Sequence, residues 1–335
     1  MGASVKEMSS RQRFHEAMRY GAPDRPPYFQ EGIRPKVLQA WRAQGFSEAA
    51  DIVDRFPSDR REELSPDLDP VPKFPKWPAS RTELGELEKR LDPSDPGRLP
   101  EDWQEHLRAG RDRRHVAMLR VHRGFFLSMG VHDWDRFMEL MDLVVDDPGF
   151  VKDYMAVYGR FAAAVADGIL KEASADAVVF SEPIGGNTGP LISPEMYEEL
   201  VLESYRPLLE VVRRYEVPWI VFRTYANARL LVPSVLRWGF NCLWACEVDA
   251  EAMDYRSLRR EFGRDLRLVG GIDLDALRRG RDAIRREVLE RVPVLLEQGG
   301  YVPLADGRVR EDVPFEHYVY YRQLLQRVME GKGTS

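Results

Sequence analysis

The chain has 335 residues and a net charge of −6, with 49 lysines and arginines against 55 aspartates and glutamates. Its length suits one large domain as well as two, of which one is expected, and its mild acidity, with no basic patch in a nucleic-acid fold signature, argues against nucleic acid as a partner. The start MGASVKEMSSRQRF has no apolar signal core, and no run reaches the roughly 18 to 20 apolar residues of a membrane helix, so a protein of the cytoplasm without membrane association is expected.

Ser9 or Ser10 can cap a first helix whose Phe14, Ala17 and Met18 form an apolar stripe, with Gly21 and Pro23 ending it. Pro26 to Phe29 reads as a first strand ending at Gln30 and Glu31, followed by a helix through Val37, Leu38 and Trp41. Residues 57–104 are dense in Pro, Asp, Arg and Lys and read as a long excursion over the mouth of the barrel described below, anchored by Phe74, Trp77 and Trp103.

From residue 116 onward a short apolar run repeatedly stops at a polar residue before a helical stretch. The runs are Val116 to Val121 (then His122), Ala177 to Phe180 (then Ser181 and Glu182), Trp219 to Phe222 (then Arg223), Cys242 to Ala245 (then Cys246 and Glu247), Leu266 to Gly271 (then Asp273), and Tyr301 to Ala305 (then Asp306). Between them, Asp147-Pro148 and Ser193-Pro194-Glu195 are helix starts with a capping side chain and proline at the first position. The second opens an amphipathic helix that Pro207 should kink.

Continuous apolar strands alternating with helices indicate a parallel sheet covered by helices. The expected architecture is a single α/β domain over 1–335: a (β/α)₈ TIM barrel at 26–330 with a helical N-terminal extension at 1–25 and the excursion near 57–104. In such a barrel the residues past the strands' C-terminal ends converge on one mouth.

That places Glu31, Glu182, Glu247 and Asp306 as candidate catalytic acids, with Asp273 nearby and Arg34 and Arg223 as cationic partners for an anionic substrate. The alternative for each is a structural ion pair bracing the rim. His122 is the one histidine at a strand end and a candidate for the site. The glycine-rich loop after Glu182, EPIGGNTGP, lacks a P-loop lysine. Its glycines suit close approach to a flat ligand whose edge Asn187 could read, or a tight turn with a solvated Asn187. The two cysteines exclude a disulfide framework, and their C-x-x-x-C spacing falls short of a four-ligand zinc pattern.

Taken in order, SSRQRFHEAMRYGAPDRPPYF, RLDPSDPGRLPEDW, GPLISPEMYEEL, VFRTYAN with GFNCLWACEVDAEAMD, VGGIDLDAL and GGYVPLADGRVREDVPFEHYVYY make the chain resemble the uroporphyrinogen decarboxylase superfamily, and within it the corrinoid-dependent methyltransferase branch. The resemblance implies a barrel enzyme that moves a methyl group between a corrinoid such as methylcobalamin and a small acceptor such as tetrahydrofolate, with a corrinoid protein as a possible partner. No covalently bound cofactor is implied.

Thiol-activating members hold zinc through a His-x-Cys pair after the fifth strand and a Cys or His after the eighth. Here those positions are Arg223, Tyr225 and Gly307, so no metal site is expected, while Asn227 and Asp306 match the surrounding pattern. Tyr225 and Asn227 then shape the pocket. The alternatives are decarboxylation of uroporphyrinogen or a related carboxylated aromatic, with Arg223 and Arg34 on its carboxylates, and a ligand-binding barrel without turnover. The arginine motif of the porphyrinogen decarboxylases is missing from PPYFQEGIRPKV, where only Arg34 remains.

Overall fold

A computed structural model of the chain describes residues 7–46, 55–104, 113–246, 252–305 and 308–332. The strands are β1 (Gly32–Ile33), β2 (Arg61–Leu64), β3 (Val116–His122), β4 (Ala177–Glu182), β5 (Trp219–Tyr225), β6 (Cys242–Cys246), β7 (Arg267–Ile272), β8 (Tyr301–Ala305) and β9 (Arg308–Val309). The chain divides into two compact units, one of residues 1–61, 113–116 and 242–335, the other of 62–112 and 117–241.

In the second unit β3, β4 and β5 run parallel. Ala177 to Glu182 pair one to one with Trp219 to Thr224, while the β3–β4 register shifts between Arg120 and His122. Ala117 to Leu119 and Ala177 to Phe180 are wholly buried, because helices cover these strands. The 25-residue helix Pro148–Glu172 is started by Asp147, whose side chain accepts from the Phe150 N–H, and by the proline that follows. Ser193 likewise caps the helix beginning at Pro194. That helix turns through a π segment, Glu198–Leu202, and continues as Glu203–Arg214, so its departure from α geometry lies ahead of Pro207.

In the first unit β6, β7 and β8 form a second parallel set, and β1 pairs with β9. Ser9 makes the expected cap, a full capping box with Gln12, but the helix ends at Met18, earlier than Gly21, because Tyr20 already turns to a φ of 59°.

Residues 26–29 do not form the expected strand. Pro26 and Pro27 have no N–H to give a ladder, and Tyr28 instead pairs with Asp59, through its N–H to the carboxylate and its carbonyl to the Asp59 N–H. The excursion at 57–104 carries a strand, β2, and a helix, Leu84–Arg90. In the second unit it is anchored by Trp77 against Gly130 and His132 and by an ion pair from Asp69 to Arg123, the residue that follows β3.

Candidate functional site

Phe180 and Phe222 pack on Tyr205, Tyr197 and Phe240 and so face the helices. Side chains alternate along a strand. Ser181 and Arg223, paired across β4 and β5, therefore share the opposite face.

On β5, Arg223 donates to both carboxylate oxygens of Glu63 from β2, at 2.8 and 2.9 Å. This fork arrangement is the strong, orienting form of the ion pair. Arg120 of β3 stands in the field of both. Burial lowers its pKa, the Glu63 carboxylate opposes that and the Arg223 charge adds to it, with Tyr225 also within reach. Arg120 Nε is buried with no hydrogen-bond partner among the described residues. Sequence reading missed Arg120 because it sits inside an apolar run; the signal was a charge in the middle of a strand otherwise buried on both faces.

Two residues from Arg120, His122 would share its face in a regular strand. The register shift between them turns it into the helix layer, where Tyr158, Phe180 and Tyr205 enclose it. Its Nδ1 accepts from the Gly124 N–H, and burial pulls its pKa down to about 3, so it is neutral. Placed there, His122 cannot touch a substrate on the Arg120 face.

Glu182 is fully buried in the same layer. It accepts from the Phe125 N–H at 2.7 Å, from the Tyr205 hydroxyl at 2.5 Å and from the Tyr197 hydroxyl at 3.2 Å. Burial raises its pKa to about 7, against the lowering effect of these three donors. Tyr197 and Tyr205 are eight residues apart, which on an α-helix is about 80° out of line. The π segment between them absorbs one extra residue and brings both phenols to one oxygen. Glu182 thus ties the β4 end to the β3–helix turn and to the following helix.

The loop after β4 is the tight turn. Gly186 and Gly189 bond across it and Asn187 is exposed at its tip. A Cβ at Gly185 would lie 2.2 Å from the Tyr225 carbonyl, so this glycine admits neighbouring backbone where a flat ligand was expected. Asn227 bridges to Gly186 and its side chain accepts from the Arg229 N–H. Asn227 therefore shapes the loop. Tyr225 is half-buried at the end of β5.

In the first unit Glu31 is buried in an ion pair with Arg322 at 3.1 Å and accepts from Tyr318 and Tyr321 at 2.9 and 2.7 Å. Arg322 also donates to the Phe56 and Pro57 carbonyls. Glu31 thus stands in a buried ion pair that two phenols complete. Asp273 accepts from the Asp275 N–H and pairs with Arg279 in the turn after β7, and Arg34 is exposed at the start of the helix Pro35–Arg42. Glu247, Asp306 and Gly307 lie outside the described residues.

Among the described residues no three His, Cys, Asp or Glu side chains group so as to hold a metal. At Arg223, a described position of the expected zinc pattern, the donor does not fit: the guanidinium has no lone pair to offer and is engaged with Glu63. Cys242 and Cys246 are both buried, and burial pushes the Cys242 thiol up to about 12. No described helix is long and apolar enough to cross a membrane.

Residues 130–317, more than half of the chain, match the family model described as uroporphyrinogen decarboxylase (URO-D). Among solved structures the chain is similar to a methyltransferase from Methanosarcina mazei, with a TM-score of 0.54 at 15% identity over 95% of this chain and 99% of that one. No curated protein matches by sequence. With the parallel strand sets of both units, this likeness shows an α/β fold of the TIM-barrel class.

Proposed function

The chain belongs to the uroporphyrinogen decarboxylase family, and from that premise we propose that it moves a methyl group between a corrinoid and a small anionic acceptor such as tetrahydrofolate, without zinc activation of a thiol. The corrinoid is a co-substrate, free or carried on a partner protein. The observation that supports this reading most is Arg223. Where thiol-activating relatives are expected to carry a zinc ligand, this chain has a guanidinium held in a fork by Glu63, with Arg120 beside it.

Among the described residues Arg120, Arg223 and Glu63 meet on one strand face of the second unit, and guanidiniums so placed suit the negative group of an acceptor. In the transfer the acceptor's amine lone pair forms the new N–CH₃ bond. The Co–C pair stays on cobalt, which goes from Co(III) to Co(I), and the amine proton leaves to solvent. Arg120 and Arg223 hold the acceptor's carboxylate, and Tyr225 limits the space beside it.

The test is an anaerobic absorbance assay with methylcob(III)alamin and either tetrahydrofolate or a thiol. Appearance of cob(I)alamin with the folate and not with the thiol is the expected result. Cob(I)alamin with the thiol alone contradicts the reading.

Arg120 also favours a second reading, decarboxylation of a carboxylated aromatic, since the same guanidinium pair suits a substrate carboxylate. Release of CO₂ from a porphyrinogen, with no demethylation of methylcobalamin, would select it.

A further inference from the structure

The helix Trp134–Asp146 of the second unit presents three rows to three surroundings. Arg136, Leu140 and Val144 face inward and are buried. Trp134, Met138, Met141 and Val145 form a second row at i, i+4, i+7 and i+11, and Trp134, Met138 and Val145 are 71%, 45% and 71% exposed. One residue further along, Asp135, Glu139, Asp142 and Asp146 repeat that spacing as a third row. Within this helix only Arg136 opposes these acids, and it pairs with Glu139.

A 4-3-4 apolar spacing is a heptad seam, the pattern by which one helix packs along another. Exposed apolar side chains that stand singly need no explanation; three on one helix face, with the half-buried Met141 between them, do. The acid row beside it determines what can lie there. In a symmetric antiparallel pairing with a second copy the acid rows would face each other and repel. Anionic lipid headgroups would be repelled in the same way.

We infer that this helix is a docking surface for a partner protein that presents an amphipathic helix with a heptad apolar seam flanked by a row of lysines or arginines. A 13-residue helix offers a small contact, so the association is a weak, exchangeable one. It is independent of the reaction proposed above.

The probe is a fluorescently labelled 18-residue helical peptide with leucines at the seam and arginines along its flank, titrated by anisotropy into the full chain. A second peptide carries glutamates in place of the arginines. The arginine peptide is expected to bind at least tenfold more tightly than the glutamate peptide. Trp134→Ser combined with Val145→Ser should weaken it at least tenfold with an unchanged melting temperature. Asp135→Asn with Asp142→Asn should bring the two peptides within about threefold of each other.

Equal binding of the two peptides overturns the inference, as does undiminished binding to the serine variant. So does a light-scattering mass showing a wild-type dimer that the serine variant turns into monomer, or pelleting of the protein with phosphatidylserine vesicles.

Discussion

Arg223 meets Glu63 through two parallel hydrogen bonds, and both side chains are largely withdrawn from water, 11% and 19% exposed. A pair so placed orients the guanidinium, and its loss takes two charge-assisted hydrogen bonds from a largely buried charge. Arg120, within the field of the same carboxylate, makes that loss larger.

Glu63→Gln should therefore cost about 2 kcal/mol of stability in chemical denaturation. Adding Arg120→Gln should recover part of it, because the like charge facing Arg223 is then gone. Purely additive effects in this cycle would mean that the three side chains do not act as one cluster.

For the reaction, Arg120→Gln and Arg223→Lys should each raise the acceptor KM by about tenfold, close to 1.4 kcal/mol, with a smaller effect on kcat. Lysine keeps the charge and loses the fork. An unchanged KM in both variants would remove the anion-binding role.

Glu182 titrates near 7 in the folded chain against an ordinary 4.5. Between those values the folded state holds a proton the unfolded chain has lost, and its contribution to stability falls as pH rises. His122 titrates near 3 against 6.5, so there the unfolded chain holds the extra proton and the contribution rises with pH. The two slopes oppose each other from about pH 4.5 to 6.5. Relative to the wild type, Glu182→Gln should gain about 3 kcal/mol between pH 4.5 and 7, and His122→Phe should lose stability between pH 3 and 6.5. Denaturation curves at pH 4.5, 5.5 and 7 check both, and variants that track the wild type across this range contradict the assignment.

Gly159 lies where the helix Pro148–Glu172 crosses the helix that carries Tyr197 and Tyr205. A Cβ there would sit 2.0 Å from the Ser204 carbonyl. Gly159→Ala should cost about 2 kcal/mol or more, since that oxygen is backbone and cannot swing aside. Gly168→Ala, on the same helix with open space around it, should be neutral or slightly stabilising by thermal melting.

In the first unit the Glu31–Arg322 pair is almost wholly buried. Glu31→Gln alone should destabilise by about 3 kcal/mol, while Glu31→Gln with Arg322→Met should cost less than the single change.

The alternation of strands and helices was legible in the sequence because each strand from β3 to β8 is a short apolar run that stops at polar residues, and because Asp147 and Ser193 announce their helices. Two misplacements have local causes. Pro26 and Pro27 make an extended segment look like a strand while removing its hydrogen bonds. A bulge after Arg120, invisible to period-two reading, turns His122 off the face that Arg120 occupies. The candidate site was less legible. Glu31 and Glu182 end apolar runs as an active-site acid would, yet their partners, Arg322 and Tyr205, lie far along the chain or beyond a π segment that sequence spacing does not reveal. Arg120 was hidden by the hydrophobic residues around it.

The most direct test of methyl transfer uses methylcob(III)alamin labelled with ¹³C in the methyl group, incubated anaerobically with the enzyme and tetrahydrofolate and followed by NMR. The proposed function predicts that the methyl resonance moves from cobalt to the N5 position of the folate, and that Arg223→Lys slows this at low folate concentration. Label remaining on cobalt with the wild-type enzyme, at every folate concentration, would contradict it.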